Sequence, residues 1–280
     1  MAEAARLAPD RPTWVLALRQ TGGRGRRGRA WHDPPGNFAA TLALPLDRPA
    51  PEAALYSFVA ALALHDTVAG LMRLPPDASG ASLPPSSFLK YPRGESPQAT
   101  GGRRPPDTLG AGRPPPPEAP SPSPRDPVEG PSRLALKWPN DLLFDGGKLA
   151  GILLESAGMG ARVHRLAIGI GVNLAAAPPA EPGAVPPVSL AQAGVTIAPE
   201  AFLDRLAPAF AARAAQLSRD GFPAIRADWL ARAARLGERV MARTARETVQ
   251  GRFETLDDTG ALVLATDEGR RIIPAGEVYF

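Results

Sequence analysis

A proline-rich segment interrupts this chain between two stretches that are richer in apolar residues. Residues 75–131 hold 17 of the 34 prolines, together with many Gly, Ser and Arg residues and few apolar ones. A segment of this composition buries too little apolar surface to offset the cost of ordering it, roughly 1–2 kcal/mol per residue. We therefore predict a disordered insertion, which either docks a partner through its prolines or is a tolerated surface loop.

The composition of the 280-residue chain limits the chemistry of any site. A hydrophobic content of 44% supports a sizeable core in one or two domains. The chain has no Cys, which excludes disulfides, thiolate nucleophiles and cysteine metal sites. Its histidines, His32, His65 and His164, share no ligand spacing, so we do not expect a zinc site. Without a signal peptide or an apolar run near the ~18 residues of a membrane span, we expect a cytoplasmic protein.

The apolar pattern outside the insertion predicts an α+β fold, a mixed sheet with helices followed by a small β-barrel. We place the boundary between the two at Gly237, giving a first domain over 1–236 and a second over 237–280. The second contains several short strands in which apolar and polar residues alternate. The elements predicted for the first domain are strands at Thr13–Gln20, Asn37–Leu46, Leu134–Lys137 and Val163–Leu174, a hairpin joining Leu142–Phe144 to Lys148–Glu155, and helices at Glu52–Arg73, 199–218 and 223–236.

The stretch Gly22–Trp31, "GGRGRRGRAW", fits two signatures that the flanking sequence argues against. Its glycines spell the dinucleotide pattern G-x-G-x-x-G, but the prolines that follow cannot open the helix that binds a pyrophosphate. Its four arginines suggest nucleic acid, but the rest of the chain is balanced at 28 basic and 28 acidic residues. Two interpretations remain. The stretch is either a flexible, glycine-rich loop that closes over an anion, with arginine guanidinium groups pairing with it, or a solvated basic turn.

A second group of residues contains two of the three lysines. The run Lys137–Asp141, "KWPND", combines a cation, an aromatic ring, an amide and a carboxylate, and Lys148 follows the Gly146-Gly147 turn. A lysine at the edge of a packed sheet can act as a fixed positive charge beside an oxygen that becomes negative. The alternative is that Lys148 only pairs with Asp145 or Asp141 of its own hairpin.

Three motifs in this order resemble those of the biotin protein ligases, which attach biotin to carboxylase carrier proteins. They are "QTGGRGRRGRAW" (Gln20–Trp31), "KWPND" followed by "GGKLAGILLE" (Lys137–Glu155), and "IGIGVNL" (Ile168–Leu174). The resemblance implies a catalytic domain like that of class II aminoacyl-tRNA synthetases and an SH3-like C-terminal domain. It also implies a two-step reaction. Biotin and ATP form biotinyl-5′-AMP, and a lysine of a biotin carboxyl carrier protein then takes the biotin.

The resemblance further implies which residues contact the substrates. Lys148 and Arg26 would be catalytic, because they supply positive charge where a carboxylate meets a triphosphate. Residues implied to bind biotin or its adenylate are Gln20, Arg24, Gly25, Arg26, Arg29, Trp31, Asn140, Asp141, Lys148, Gly151, Gly171 and Asn173. Trp31 would flank the nucleotide end, and Asn173 would reach the ATP. Mg²⁺ would accompany ATP, and Asp141 would hold either this ion or an arginine.

The sequence departs from the family at its start. Relatives begin the domain with a strand ending in Ser-Thr-Asn, which helps to hold the biotin ring, whereas this chain starts "MAEAARLA". We favour a start codon further upstream; the alternative is a ligase relative of reduced activity. No helix-turn-helix precedes the catalytic region, so we do not expect DNA as a partner, and the lack of a long apolar run argues against a membrane. A nucleic-acid-binding module built on the Arg/Gly loop and a lipoate ligase are the remaining hypotheses, and no oligomeric state is specified.

Overall fold

The computed structural model describes residues 9–20, 22–25, 28, 31, 34–73 and 133–280. The predicted insertion at 75–131 lies outside these residues. In the described part, β1–β6 form one sheet and β7–β11 form a second. The elements are β1 (Thr13–Leu16), β2 (Phe38–Pro49), α1 (Ala50–Ala54), α2 (Tyr56–Arg73), β3 (Leu134–Lys137), β4 (Asp141–Phe144), β5 (Gly147–Met159), β6 (Arg162–Val172), α3 (Pro199–Leu230), β7 (Arg239–Arg243), β8 (Thr248–Leu256), β9 (Leu262–Thr266), β10 (Gly269–Ile273) and β11 (Glu277–Tyr279).

The first sheet has the strand order β1-β2-β6-β5-β4-β3, and each neighbouring pair is antiparallel. Within the described residues, parallel pairing is confined to two isolated bridges, Leu136 with Ala233 and Lys148 with Pro187. The mixed character expected of this sheet is therefore local. The long β5–β6 hairpin lies at the centre of the sheet, where neighbouring strands on both sides hold its residues in place.

Helices α2 and α3 cover one face of this sheet. Phe38 of β2 packs against Phe202 of α3, and Phe58 of α2 packs edge-on against Trp229, with ring centroids 4.9 and 5.7 Å apart. The segment Ala50–Arg73 is long and apolar enough to span a membrane, but most of the side chains of α2 are buried in this core. The apolar run is explained by burial against the sheet and α3.

The helical predictions are partly wrong. The segment predicted as one helix over Glu52–Arg73 is interrupted at Leu55. The helices predicted at 199–218 and 223–236 form one element, α3, that is kinked at Gly221, where φ is +73°. This element ends at Leu230 rather than at Gly237, because residues 232–234 exchange backbone hydrogen bonds with Leu136 and thereby satisfy the edge of β3.

The strand predictions are closer to the structure, since the hairpin and its turn occur as expected. Asp145 and Gly146 have φ values of +46° and +78°, as a tight turn between right-twisted strands requires. The first predicted strand is too long, because β1 ends at Leu16. Strand β11 is missing from the sequence prediction, because its three residues after a Pro-Ala-Gly run give too short a pattern.

The second sheet has the order β10-β9-β8-β7-β11, and one of its contacts with the first part of the chain is a tight turn. Gly260, in the β8–β9 turn, accepts a hydrogen bond of 3.1 Å from the indole N–H of Trp138. It has φ +80°, and a Cβ there would lie 2.5 Å from the Phe58 ring. Only glycine meets both requirements.

We predict that Gly260→Ala destabilises the protein more than Gly237→Ala. Both glycines have φ near +80°, but a Cβ at Gly237 would meet no atom within 4 Å. The left-handed backbone costs both variants about 1–2 kcal/mol, and overpacking against Phe58 costs Gly260→Ala about 1–3 kcal/mol more. Urea unfolding of the two variants measures the difference. Equal losses of unfolding free energy would contradict the tight contact.

Candidate functional site

A cavity of about 340 Å³ lies on the face of the first sheet opposite the helices. Its wall combines segments that are far apart in the chain. The lining includes Gln20, Gly22, Gly23, Arg24, Gly25, Trp31, Lys137, Asn140, Asp141, Lys148, Gly151, Gly171, Glu181 and Glu277. The fold thus brings most of the residues implied by the three motifs into one space.

Lys148 reaches this cavity because β5 contains a β-bulge. Leu142 pairs with Ala150 and Leu143 pairs with Lys148, so Leu149 is an extra residue in the ladder. Leu149 and Ala150 are both fully buried in the core, whereas Lys148 and Gly151 both line the cavity. In a regular strand, residues three apart point to opposite faces, so the bulge is what puts Lys148 and Gly151 on the same face.

Asp141 joins the two lysines of the "KWPND" and "GGK" motifs. Its Oδ1 lies 2.8 Å from the Nζ of Lys148, and its Oδ2 lies 3.7 Å from the Nζ of Lys137. Asp145, the other partner considered for Lys148, instead pairs with Arg133 at 2.8 Å on the surface. Burial lowers the pKa of the Lys137 ammonium, and the Asp141 carboxylate partly offsets this effect.

The floor of the cavity includes two glycines in a row that runs across three strands to Asp141. Gly171 pairs with Gly151, and Gly151 pairs with Asp141. Without side chains on the two glycines, a flat group can rest on the backbone. The indole of Trp31 lies over this row. A Cβ on Gly171 would be 2.6 Å from the indole ring, and one on Gly151 would be 3.4 Å from it.

The described residues of the Gly22–Trp31 stretch form one wall of the cavity. The N–H of Trp31 donates to the carbonyl oxygen of Gly23 at 3.0 Å, which brings the two ends of the stretch together. Arg24 is exposed at the rim, and Gly25 lines the wall. The Oε1 of Gln20 is buried and has no hydrogen-bond partner among the described residues. An unsatisfied buried acceptor beside a cavity suits a ligand that donates an N–H group.

Two of the residues implied to be catalytic or substrate-binding, Arg26 and Arg29, lie outside the described residues, so their roles stay predictions. The two asparagines are described, and both bind backbone. The side-chain amide of Asn140 donates to the carbonyl of Ile152 on β5. Asn173 is 1% exposed and donates to the carbonyl of Val188 at 3.0 Å and, at 3.4 Å, to that of Lys148.

The contact of Asn173 with ATP stays a prediction. Asn173 does not line the cavity but lies behind it, where it ties the segment ending at Val188 to the backbone of Lys148. This segment continues the attachment, because the N–H of Lys148 donates to Pro186 at 2.7 Å and that of Val188 donates to Lys148 at 3.0 Å. Asn173 thus supports the strand that carries Lys148.

Three parts of the cavity are missing from the sequence prediction. Lys137 belongs to a recognised motif but is not among the predicted site residues, because a lysine closing a four-residue strand carries no signal of burial. Residues 178–187, "PPAEPGAVPP", supply a wall, and Glu277 of β11 supplies another. The proline content of the first segment is a usable signal of a rigid wall, whereas the position of β11 depends on how the second sheet packs.

Comparisons with known proteins agree with the motifs. Residues 4–173 match the model of the Biotin/lipoate A/B protein ligase family, and residues 236–280 match that of the Biotin protein ligase C terminal domain. A biotin–[acetyl-CoA-carboxylase] ligase of Paracoccus denitrificans is 46% identical over 100% of this chain and 95% of its own length.

Two solved structures have the same fold. The biotin protein ligase of Aquifex aeolicus in complex with biotin and ATP has a TM-score of 0.66 at 19% identity, covering 99% of this chain and 93% of that one. The biotin protein ligase of Leishmania major in complex with biotinyl-5-AMP has a TM-score of 0.56 at 17% identity, covering 100% of this chain and 92% of that one.

We predict that Gly171→Ala displaces the Trp31 indole from the floor, whereas Gly151→Ala leaves it in place. The added methyl of Gly171→Ala would overlap the ring, but that of Gly151→Ala would make an ordinary contact at 3.4 Å. Acrylamide quenching of indole fluorescence, with Trp31→Phe versions subtracting the other tryptophans, measures the exposure of Trp31. Equal quenching of Trp31 in the two variants would contradict the arrangement.

Proposed function

Because this chain belongs to the biotin/lipoate A/B protein ligase family, we propose that it is an ATP-dependent ligase that attaches biotin to a carrier protein. It forms biotinyl-5′-AMP and transfers biotin to a lysine of a biotin carboxyl carrier protein, a subunit or domain of a biotin-dependent carboxylase. The observation that carries this proposal is Lys148, held by the bulge at the end of a floor built from glycines.

The first step joins two anions. An oxygen of the biotin carboxylate attacks the α-phosphorus of ATP, and the bond to the bridging oxygen breaks as pyrophosphate leaves. Negative charge at the reacting oxygens is stabilised best by a positive charge that is already in place. The Lys148 side chain is 32% exposed, so its ammonium is open to a ligand on the glycine floor.

The biotin end of the site is supported by Gln20. Its buried Oε1 lacks a partner among the described residues, and the ureido ring of biotin offers N–H donors. The nucleotide end is assigned to Trp31, Asn140 and Asp141, which line the same cavity. Asn140 is tied to β5, so its contribution is to hold the "KWPND" turn against the floor.

Mg²⁺ is proposed to enter with the phosphates of ATP and not on a protein cage. The described residues contain no group of three or more His, Cys, Asp or Glu side chains placed to hold a metal ion. Asp141 already faces two ammonium groups, both of which oppose a further cation. This fits the general habit of Mg²⁺ in nucleotide sites, where it keeps several waters and binds mainly phosphate.

In the second step, the amine of the carrier lysine attacks the acyl carbon of biotinyl-5′-AMP and AMP leaves. No enzyme nucleophile is required, so a chain without Cys is adequate. We place the reaction in the cytoplasm, where ATP and newly made carrier proteins are found. The five-stranded second sheet supports an SH3-like domain over 237–280, beside a catalytic domain over 1–236.

We predict that Lys148→Ala lowers the kcat of adenylate formation by about 100- to 1000-fold, the usual effect of removing a group that stabilises transition-state charge. The assay supplies biotin, ATP and Mg²⁺ and measures pyrophosphate release, and a carrier domain is then probed for attached biotin. Wild type that releases no pyrophosphate and labels no carrier would overturn the proposed function.

The matched control is Lys90→Ala, which removes the lysine of the 75–131 segment. We expect it to retain full activity in adenylate formation, because neither a partner-docking segment nor a tolerated surface loop would supply the catalytic charge. A loss in Lys90→Ala equal to that in Lys148→Ala would contradict the assignment of the catalytic charge to Lys148.

A further inference from the structure

Lys137 is a charged side chain in an almost fully buried position. Only 5% of its side chain is exposed, against 32% for Lys148, although both ammonium groups lie next to Asp141. Its Nζ is 6.0 Å from the ring centre of Phe280, the last residue of the chain. Both lysines line the cavity, but Lys137 is the more shielded of the two and Lys148 is the more open to a ligand.

The carboxylate of Asp141 has a different lysine on each oxygen. Lys148 lies 2.8 Å from Oδ1, and Lys137 lies 3.7 Å from Oδ2. When an anionic ligand attracts Lys148, the Oδ1 contact weakens. If Lys148 were the only cation beside Asp141, its departure would strongly destabilise this carboxylate, which is only 14% exposed. That cost would oppose the movement of Lys148. A second cation on the other oxygen removes much of this penalty.

We propose that Lys137 is a positioning residue that keeps Asp141 neutralised, so that Lys148 can turn from Asp141 to the reacting carboxylate and phosphate. This inference rests on the proposed function, because it concerns the same reaction. Lys137 contacts neither substrate in this account. It acts through Asp141, and the effect of removing it depends on Asp141 carrying a negative charge.

The test is a double-mutant cycle on the full chain. Lys137→Met, which fills the same buried volume without charge, is expected to lower the kcat of adenylate formation by about tenfold while the KM values for biotin and ATP change by less than about threefold. Lys137→Arg, which keeps the charge, is expected to retain at least half of kcat. In an Asp141→Asn background, where there is no carboxylate to neutralise, Lys137→Met is expected to have little further effect.

The matched control is Arg133→Met, which removes a cation from the other end of the same hairpin, where it pairs with Asp145. It is expected to leave kcat unchanged. Thermal unfolding curves establish the folded fraction of each variant, and Lys137→Arg supplies the readout if Lys137→Met unfolds.

Three results are distinguishable. Wild type without adenylate formation overturns the proposed function itself. Active wild type with an unchanged kcat in Lys137→Met overturns the positioning role alone. Lys137→Met losses that are equal in the wild-type and Asp141→Asn backgrounds, or a loss in Lys137→Arg as large as in Lys148→Ala, show that Lys137 does not act through Asp141 and also overturn that role.

Discussion

The arrangement of this site depends on one extra residue in a strand. Leu149 adds a position to the β4–β5 ladder, so Lys148 and Gly151 face the cavity while Leu149 and Ala150 both face the core. Burial of Leu149 fixes the bulge, because moving it to the cavity face would expose a large apolar side chain. The apolar core thus determines where the positive charge is held.

Other contacts make that position rigid. On one side, the backbone of Lys148 forms hydrogen bonds with residues 186 and 188. The side-chain amide of Asn173 donates to the carbonyls of Lys148 and Val188 and reinforces this connection. On the other side, the ammonium of Lys148 pairs with Asp141 at the end of the "KWPND" run. The same run is attached to the second sheet by the hydrogen bond from Trp138 to Gly260. The backbone that carries Lys148 is thus fixed before the substrate arrives, so only the end of its side chain has to turn during the reaction, and little reorganisation is needed.

The sequence predicted the parts of this arrangement that depend on local chemistry. Asp145-Gly146 requires positive φ values, so the hairpin and the position of Lys148 at its start followed directly. The bulge did not follow. The order of polar and apolar residues in "KLAG" also fits a regular strand, and only the burial of both Leu149 and Ala150 distinguishes the two. Likewise, the helix predicted to reach residue 236 ends at Leu230, because the unpaired edge of β3 takes up the next residues. The burial of Asn173 did not follow from its motif either, because it depends on the segment at Val188, further along the chain.

The central claim is that Lys148 passes from Asp141 to the substrate while Lys137 stays with Asp141. A crystal structure with a non-hydrolysable analogue of biotinyl-5′-AMP tests it most directly. The account predicts the ligand on the Gly151–Gly171 floor, with the Nζ of Lys148 within about 3 Å of an oxygen at the acyl–phosphate link, and Lys137 still beside Asp141. A ligand bound on this floor with Lys148 still paired to Asp141 and no cation at the link would contradict it.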